Sequence, residues 1–196
     1  MQPHHTSWTP AELTAWAKAI HAGEVCAAPA EGVYGYVADP FNPTALQNLL
    51  ELKQRDPAKG FILLVQSPAE LSRLCPPLTP REEASLEVCW QSFQPPITLI
   101  LPALPSLPEL LTQPATPTTH YAARTIAVRC PHPHYMQAYL KAAGQPLVST
   151  SLNISGEPAA IHDSQIPDSV LALTLPNTLS GVPSRIFNPH TNQWLR

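Results

Sequence analysis

Thr9-Pro10-Ala11-Glu12-Leu13-Thr14-Ala15-Trp16-Ala17-Lys18-Ala19-Ile20-His21-Ala22-Gly23-Glu24-Val25-Cys26-Ala27-Ala28 sets the fold class. It opens with Thr, Glu three residues on and Pro at the first helical position, which is the pattern of a capping box. Leu13, Trp16, Ala17 and Ile20 recur at helical spacing until Gly23, so a helix is predicted. Residues 25–28 follow directly as an apolar run of strand length. The alternation continues outward. Asn42 caps a second predicted helix through Leu46, Leu49 and Leu50, whose last turn presents Lys53 and Arg55, and residues 61–65 read as the next strand. Ser67-Pro68-Ala69-Glu70 and Thr79-Pro80-Arg81-Glu82 repeat the capping pattern and predict two shorter helices. The second carries Leu86, Cys89, Trp90 and Phe93 before Pro95-Pro96 ends it. Further strand-like runs lie at 97–101, 125–128, 147–149 and 170–173. Interleaved helices and strands predict an α/β protein with its strands in one sheet.

Composition narrows the class. With 196 residues, 44% of them hydrophobic, the chain can bury a sizeable core, which excludes disorder throughout and fits one domain over residues 1–196. Charged residues are 13% and prolines number 25, so the surface should be weakly charged and rich in rigid loops. The Pro-rich stretch 102–119 is read as a long surface connection. A net charge of -3 argues against coating by nucleic acid and leaves room for a local basic groove. The longest apolar stretch, 97–101, is far short of the ~20 residues of a membrane span, and no secretion signal opens the chain. Cys26, Cys75, Cys89 and Cys130 show no C-x-x-C spacing, so buried reduced thiols and a cytoplasmic location are expected, with neither a disulfide framework nor a zinc site.

Neither the Walker nor the Rossmann glycine pattern occurs, so any nucleotide must be held another way. Lys53-Gln54-Arg55 with Lys59 could clamp phosphates at the end of a helix; cations that favour a helix C-terminus and face solvent are the other reading. Ser149-Thr150-Ser151-Leu152-Asn153 places hydrogen-bonding side chains directly after a strand, where an α/β fold keeps its ligand crevice, or else forms a hydrogen-bonded turn. Arg129 at a strand end is a natural carboxylate partner. His132-Pro133-His134 lacks nearby Cys or carboxylate partners and is read as loop, and no metal ligands are assigned. Without a G-x-S-x-G elbow, a hydrolytic triad has no specific support.

Taken in order, these segments resemble the threonylcarbamoyl-AMP synthase family in its short bacterial TsaC/YrdC form, from about Gly23 onward. Ala28-Pro29-Ala30-Glu31-Gly32-Val33-Tyr34-Gly35 is similar to the family's Y-P-T-E-x-V-Y/F-G, and Leu49 to Arg55 with Lys59-Gly60 to its basic motif. Pro96-Ile97-Thr98-Leu99-Ile100, Ala127-Val128-Arg129 and Ser149 through Gly156 are similar to its later signatures.

The resemblance implies a single YrdC-like domain built on one twisted mixed sheet with helices and a concave, positively charged face. It implies synthesis of threonylcarbamoyl-AMP and pyrophosphate from L-threonine, bicarbonate or CO2 and ATP, with Mg2+ and no tightly bound cofactor, for the t6A modification of tRNA. The product would pass to a tRNA threonylcarbamoyltransferase complex. By the same resemblance Lys53, Arg55, Lys59, Thr125, Ser151, Asn153 and Arg196 would bind ATP. Ala30, Arg129, Ser149 and Ser184 would line the threonine pocket. Two positions depart from the pattern: Ala30 stands for a Thr and Leu152 for an Ala, so the threonine pocket lacks one hydroxyl. The rival readings are a sister paralogue without this synthesis and an RNA-binding module.

Overall fold

The capping box at Thr9 forms as its sequence requires. The Thr9 hydroxyl oxygen accepts from the Glu12 N–H at 3.2 Å, and the Glu12 carboxylate accepts the Thr9 N–H at 2.6 Å, opening α1 (Pro10–His21). The computed structural model describes residues 8–54, 60–93, 97–114 and 124–196. After α1 the chain enters β1 (Cys26–Pro29) and returns as β2 (Tyr34–Ala38). The sequence reading missed β2, whose five residues are all buried, because a strand covered on both faces shows no alternation. Asn42 caps α2 (Pro43–Lys53) by accepting from the N–H groups of Thr44 and Ala45, and Gln54 closes it with φ 44.

Beyond β3 (Ile62–Leu64), the pattern at Ser67 gives only a 3-10 helix, Pro68–Arg73, with no capping bond from the Ser67 side chain. The Glu70 carboxylate accepts the Gln66 N–H at 2.8 Å instead. Thr79 makes the full box and opens α3 (Pro80–Glu87), which continues into a π-helical turn, Val88–Ser92. Next come β4 (Thr98–Pro102) and β5 (Thr125–Arg129). The expectation of a surface connection at 102–119 is corrected where the chain is described. Leu107, Leu111 and Thr112 are buried, and Gln113 bridges to Thr125; residues 115–119 lie outside the described residues.

At His132-Pro133-His134 the expected loop holds for His132 and Pro133 and is corrected at His134, which opens α4 (His134–Ala143). Pro133 takes the cap position, and Tyr135, Met136, Tyr139, Leu140 and Ala143 form one buried face. Then β6 (Leu147–Ser151) is followed by β7 (Ile186–Asn188) and β8 (Gln193–Trp194). The run 170–173 is not a strand of the sheet; Ala172 makes an isolated parallel bridge to Ala27.

Among the described residues, eight strands join in one mixed sheet ordered β1-β2-β6-β3-β5-β4-β7-β8. The β3–β5 and β4–β7 pairs are parallel and the rest antiparallel. Alternation along β3 sends Leu63 to one core and Leu64 to the other. The first core packs Leu46 and Leu49 of α2 with Leu86 of α3, Trp90, Leu99 and Val128. The second packs Trp16 and Ile20 of α1 with Met136, Tyr139 and Leu140 of α4. Helices cover much of both faces, but Ile62, Ile100 and Ala127, register partners on β3, β4 and β5, are only half-buried and leave a stretch of sheet face open for a site. Among the described residues no helix is long and apolar enough to cross a membrane, and all four cysteines are free and buried.

Candidate active site

A cavity of about 470 Å3 opens where the β1–β2 turn, the ends of β5 and β6 and the segment before β7 converge. The turn is tight because the Ala30 N–H donates to the Val33 carbonyl at 2.9 Å, which places Glu31 at the cavity wall. Gly32 is required by close approach, since a Cβ there would lie 1.9 Å from the Val182 carbonyl oxygen. Its carbonyl instead accepts the Gly181 N–H at 2.7 Å, and this brings the 181–184 segment over the turn. From α4, the Tyr135 hydroxyl donates to the Ala30 carbonyl at 3.1 Å and the Tyr139 hydroxyl to the Pro29 carbonyl at 3.4 Å. Burial first, and the Glu31 carboxylate second, push both phenols up, while Arg129 pulls the other way.

Arg129 closes β5 and is buried, with one Nη 3.2 Å from a Glu31 carboxylate oxygen. Ala30 and Ser149 line the same cavity. Ser184 lies across from them. Its hydroxyl is 3.2 Å from the Thr98 hydroxyl, and Arg196 reaches it with Nε donating to the Ser184 carbonyl at 3.0 Å. Arg196 is tied down by its own backbone, whose carbonyl accepts the Ile186 N–H at 3.0 Å. Burial, and then the nearby Arg129 charge, lower its ionisation below the ordinary arginine value. Thr125 faces the cavity from the start of β5, paired with Gln113 through two backbone bonds of 2.7 and 2.9 Å.

Of the two sequence readings of Lys53, a phosphate clamp or a solvent-facing cation, the structure overturns the second. Its Nζ turns inward and donates to the Ser151 carbonyl at 2.6 Å, the Asn153 carbonyl at 3.0 Å, the Ser151 hydroxyl at 3.2 Å and the Asn153 side-chain oxygen. The Lys53 carbonyl accepts the Ser155 N–H at 3.0 Å, so α2 and the loop after β6 are joined from both sides. Ser151 and Asn153 line the cavity as a consequence. Arg55 and Lys59 lie outside the described residues. The charged groups among the described lining residues are Arg129 and Arg196 against Glu31 and Glu157, so the positively charged face that the resemblance implied is not shown by them.

Sequence reasoning passed over Glu31, Thr98 and Gln113. Glu31 stood inside a quoted motif with no partner in the sequence to give it a role. Thr98 and Gln113 become neighbours of the cavity only through pairings across the sheet. The whole arrangement, two guanidinium groups, several hydroxyls and two carboxylates around one hollow, suits a small zwitterion beside a polyanion.

Comparison with known proteins agrees with this geometry. The family model Sua5/YciO/YrdC, described as "Telomere recombination", matches residues 18–195. A protein of Vibrio campbellii named threonylcarbamoyl-AMP synthase is 34% identical over 189 residues, covering 91% of this chain and 95% of its own. One of Hydrogenovibrio crunogenus with the same name is 35% identical over 188 residues, covering 94% and 96%. The solved structure of P. abyssi Sua5 complexed with L-threonine superposes with a TM-score of 0.73 at 25% identity, covering 90% of this chain. This chain spans half of that one, 50%.

Proposed function

This chain belongs to the Sua5/YciO/YrdC family, and from that premise we propose that it is an L-threonylcarbamoyladenylate synthase. The observation that carries the reading is likeness over nearly the whole length to relatives bearing that name, joined to a cavity whose lining includes Arg129, Arg196, Ser149 and Ser151. L-Threonine, bicarbonate or CO2 and ATP are its substrates; threonylcarbamoyl-AMP and pyrophosphate are its products.

Arg129 holds the threonine carboxylate, with Ala30, Ser149 and Ser184 around the amino acid. Thr125, Ser151, Asn153 and Arg196 face the nucleotide, with Arg55 and Lys59 taking phosphates. The amine of threonine becomes a carbamate, and a carbamate oxygen attacks the α-phosphorus as pyrophosphate leaves. Such a transfer asks the protein for charge neutralisation and in-line placement more than for covalent help. Mg2+ would come with ATP, since the ion commonly sits on substrate phosphates. Lys53 acts one step away, by holding the loop that carries Ser151 and Asn153. We place the reaction in the cytoplasm and its labile product in the hands of a tRNA-modifying complex.

The test is pyrophosphate release by the purified protein. Release that requires threonine, bicarbonate and ATP together is the expected result. Release independent of threonine, or retention of tRNA with steep salt dependence and no turnover, overturns the reading in favour of a paralogue or an RNA-binding module.

A further inference from the structure

Glu31 is a carboxylate taken out of water and left short of donors. Its side chain is 12% exposed, and among the described residues neither of its oxygens receives a hydrogen bond. Its ion pair with Arg129 at 3.2 Å supplies charge without hydrogen-bond geometry. Arg129, 6% exposed in its side chain, also keeps Nε without an acceptor among the described residues. Groups in this condition are costly to bury unless something completes them. Both line the cavity, and both stand on rigid supports: Arg129 on β5, and Glu31 on a turn whose carbonyls are held by Tyr135 and Tyr139.

We infer that Glu31 receives the α-ammonium group of the amino-acid substrate while Arg129 takes its carboxylate, so that the pair clamps a zwitterion. The inference rests on the proposed threonine reading and adds a specificity-determining residue to it. What Glu31 lacks is N–H donors; what Arg129 Nε lacks is an anionic acceptor. An α-amino acid carries both on atoms bonded to one carbon. A carboxylic acid without the amine would satisfy Arg129 and be repelled by Glu31, so the pair selects α-amino acids over their des-amino counterparts. The same negative charge keeps phosphate oxygens away from this end of the cavity and fixes the direction in which the two substrates lie. Formation of the carbamate then starts from an amine held in one place rather than free to rotate.

The experiment measures binding of L-threonine and of 3-hydroxybutanoate, which lacks the amine, alongside pyrophosphate release, for wild type, Glu31→Gln and Glu31→Asp. A charge-assisted hydrogen bond corresponds to roughly tenfold to a hundredfold in affinity. Wild type should therefore prefer threonine by at least about tenfold, and Glu31→Gln should bring the two ligands to within about twofold while the KM for ATP stays unchanged. Glu31→Asp, which keeps the charge, should recover part of the preference, a recovery that a merely structural ion pair would not produce. Thermal melting checks that each variant is folded. A wild type that turns over threonine together with a Glu31→Gln variant that keeps the full preference overturns the clamp alone. A wild type that neither binds nor turns over threonine overturns the synthase reading, and the clamp falls with it.

Discussion

Lys53 is 1% exposed, although lysine is seldom fully buried unless paired. Its ammonium group is accommodated by oxygens of Ser151 and Asn153, two of them backbone carbonyls. The residue therefore contributes to stability before it contributes to binding. Lys53→Met keeps the length of the side chain and removes the donor, leaving those carbonyls without their partner. It should lower unfolding free energy by about 1–3 kcal/mol, seen as a lower urea midpoint at unchanged slope. Weaker ATP use should accompany the loss, because Ser151 and Asn153 sit on the loop that Lys53 holds. A variant with wild-type stability and impaired ATP use alone would mean that Lys53 reads phosphate directly. Nothing in a sequence separates those two roles: a Lys at a helix end looks the same whether its stem runs outward or folds back under a strand 98 residues away.

The elements show why parts of the fold were legible and others were not. Thr79-Pro80-Arg81-Glu82 and Ser67-Pro68-Ala69-Glu70 are equivalent as patterns, yet Thr79 makes its capping bonds and Ser67 makes none. Thr79→Ala should cost about 1 kcal/mol and Ser67→Ala only a few tenths, compared by chemical denaturation. Equal losses would mean that the bonds at Thr79 add nothing beyond local propensity. Local signals fixed α1 and α2 because cap, periodicity and stop agree there. They failed for β2, which is covered on both faces, and for α4, where two histidines around a proline hid a helix whose amphipathic face begins at Tyr135. They also failed for β7 and β8, short strands that exist because β4 offers an edge to pair with. The site divides the same way. Arg129 and the serines of β6 stand at strand ends that sequence could locate. Glu31 and its orphaned oxygens became significant only when the turn set them beside Arg129.

At the scale of the whole molecule, thiols report on both cores at once. Cys26 lies in the core under α1 and α4; Cys75, Cys89 and Cys130 lie in the one under α2 and α3. Burial, with smaller help from Glu24 and Glu82 respectively, pushes the Cys26 and Cys75 thiols from 9.0 up to about 12. Burial and Glu70 push Cys130 up to about 11, and burial raises Cys89 against the opposing charge of Arg185. Each thiol stays protonated in the native chain at a pH where the unfolded chain ionises it. Native stability is then complete below the ordinary thiol value and falls as pH rises from 9.0 toward 11 and 12. The slope is at most about 1.4 kcal/mol per pH unit for each thiol that stays protonated. The urea midpoint should therefore be level from pH 7 to 8 and drop steeply from pH 9 to 10, before the raised hydroxyls of Tyr34 and Tyr36 add to the fall. Cys26→Ala should lower the midpoint at every pH by leaving a small cavity, yet make the alkaline drop shallower, because one titrating group is gone. Cys75→Ala should do the same from the opposite face of the sheet. A midpoint that holds level to pH 10 in wild type, or a drop as steep in both variants as in wild type, would show that the thiols ionise in place and that the two cores admit water more freely than their packing implies.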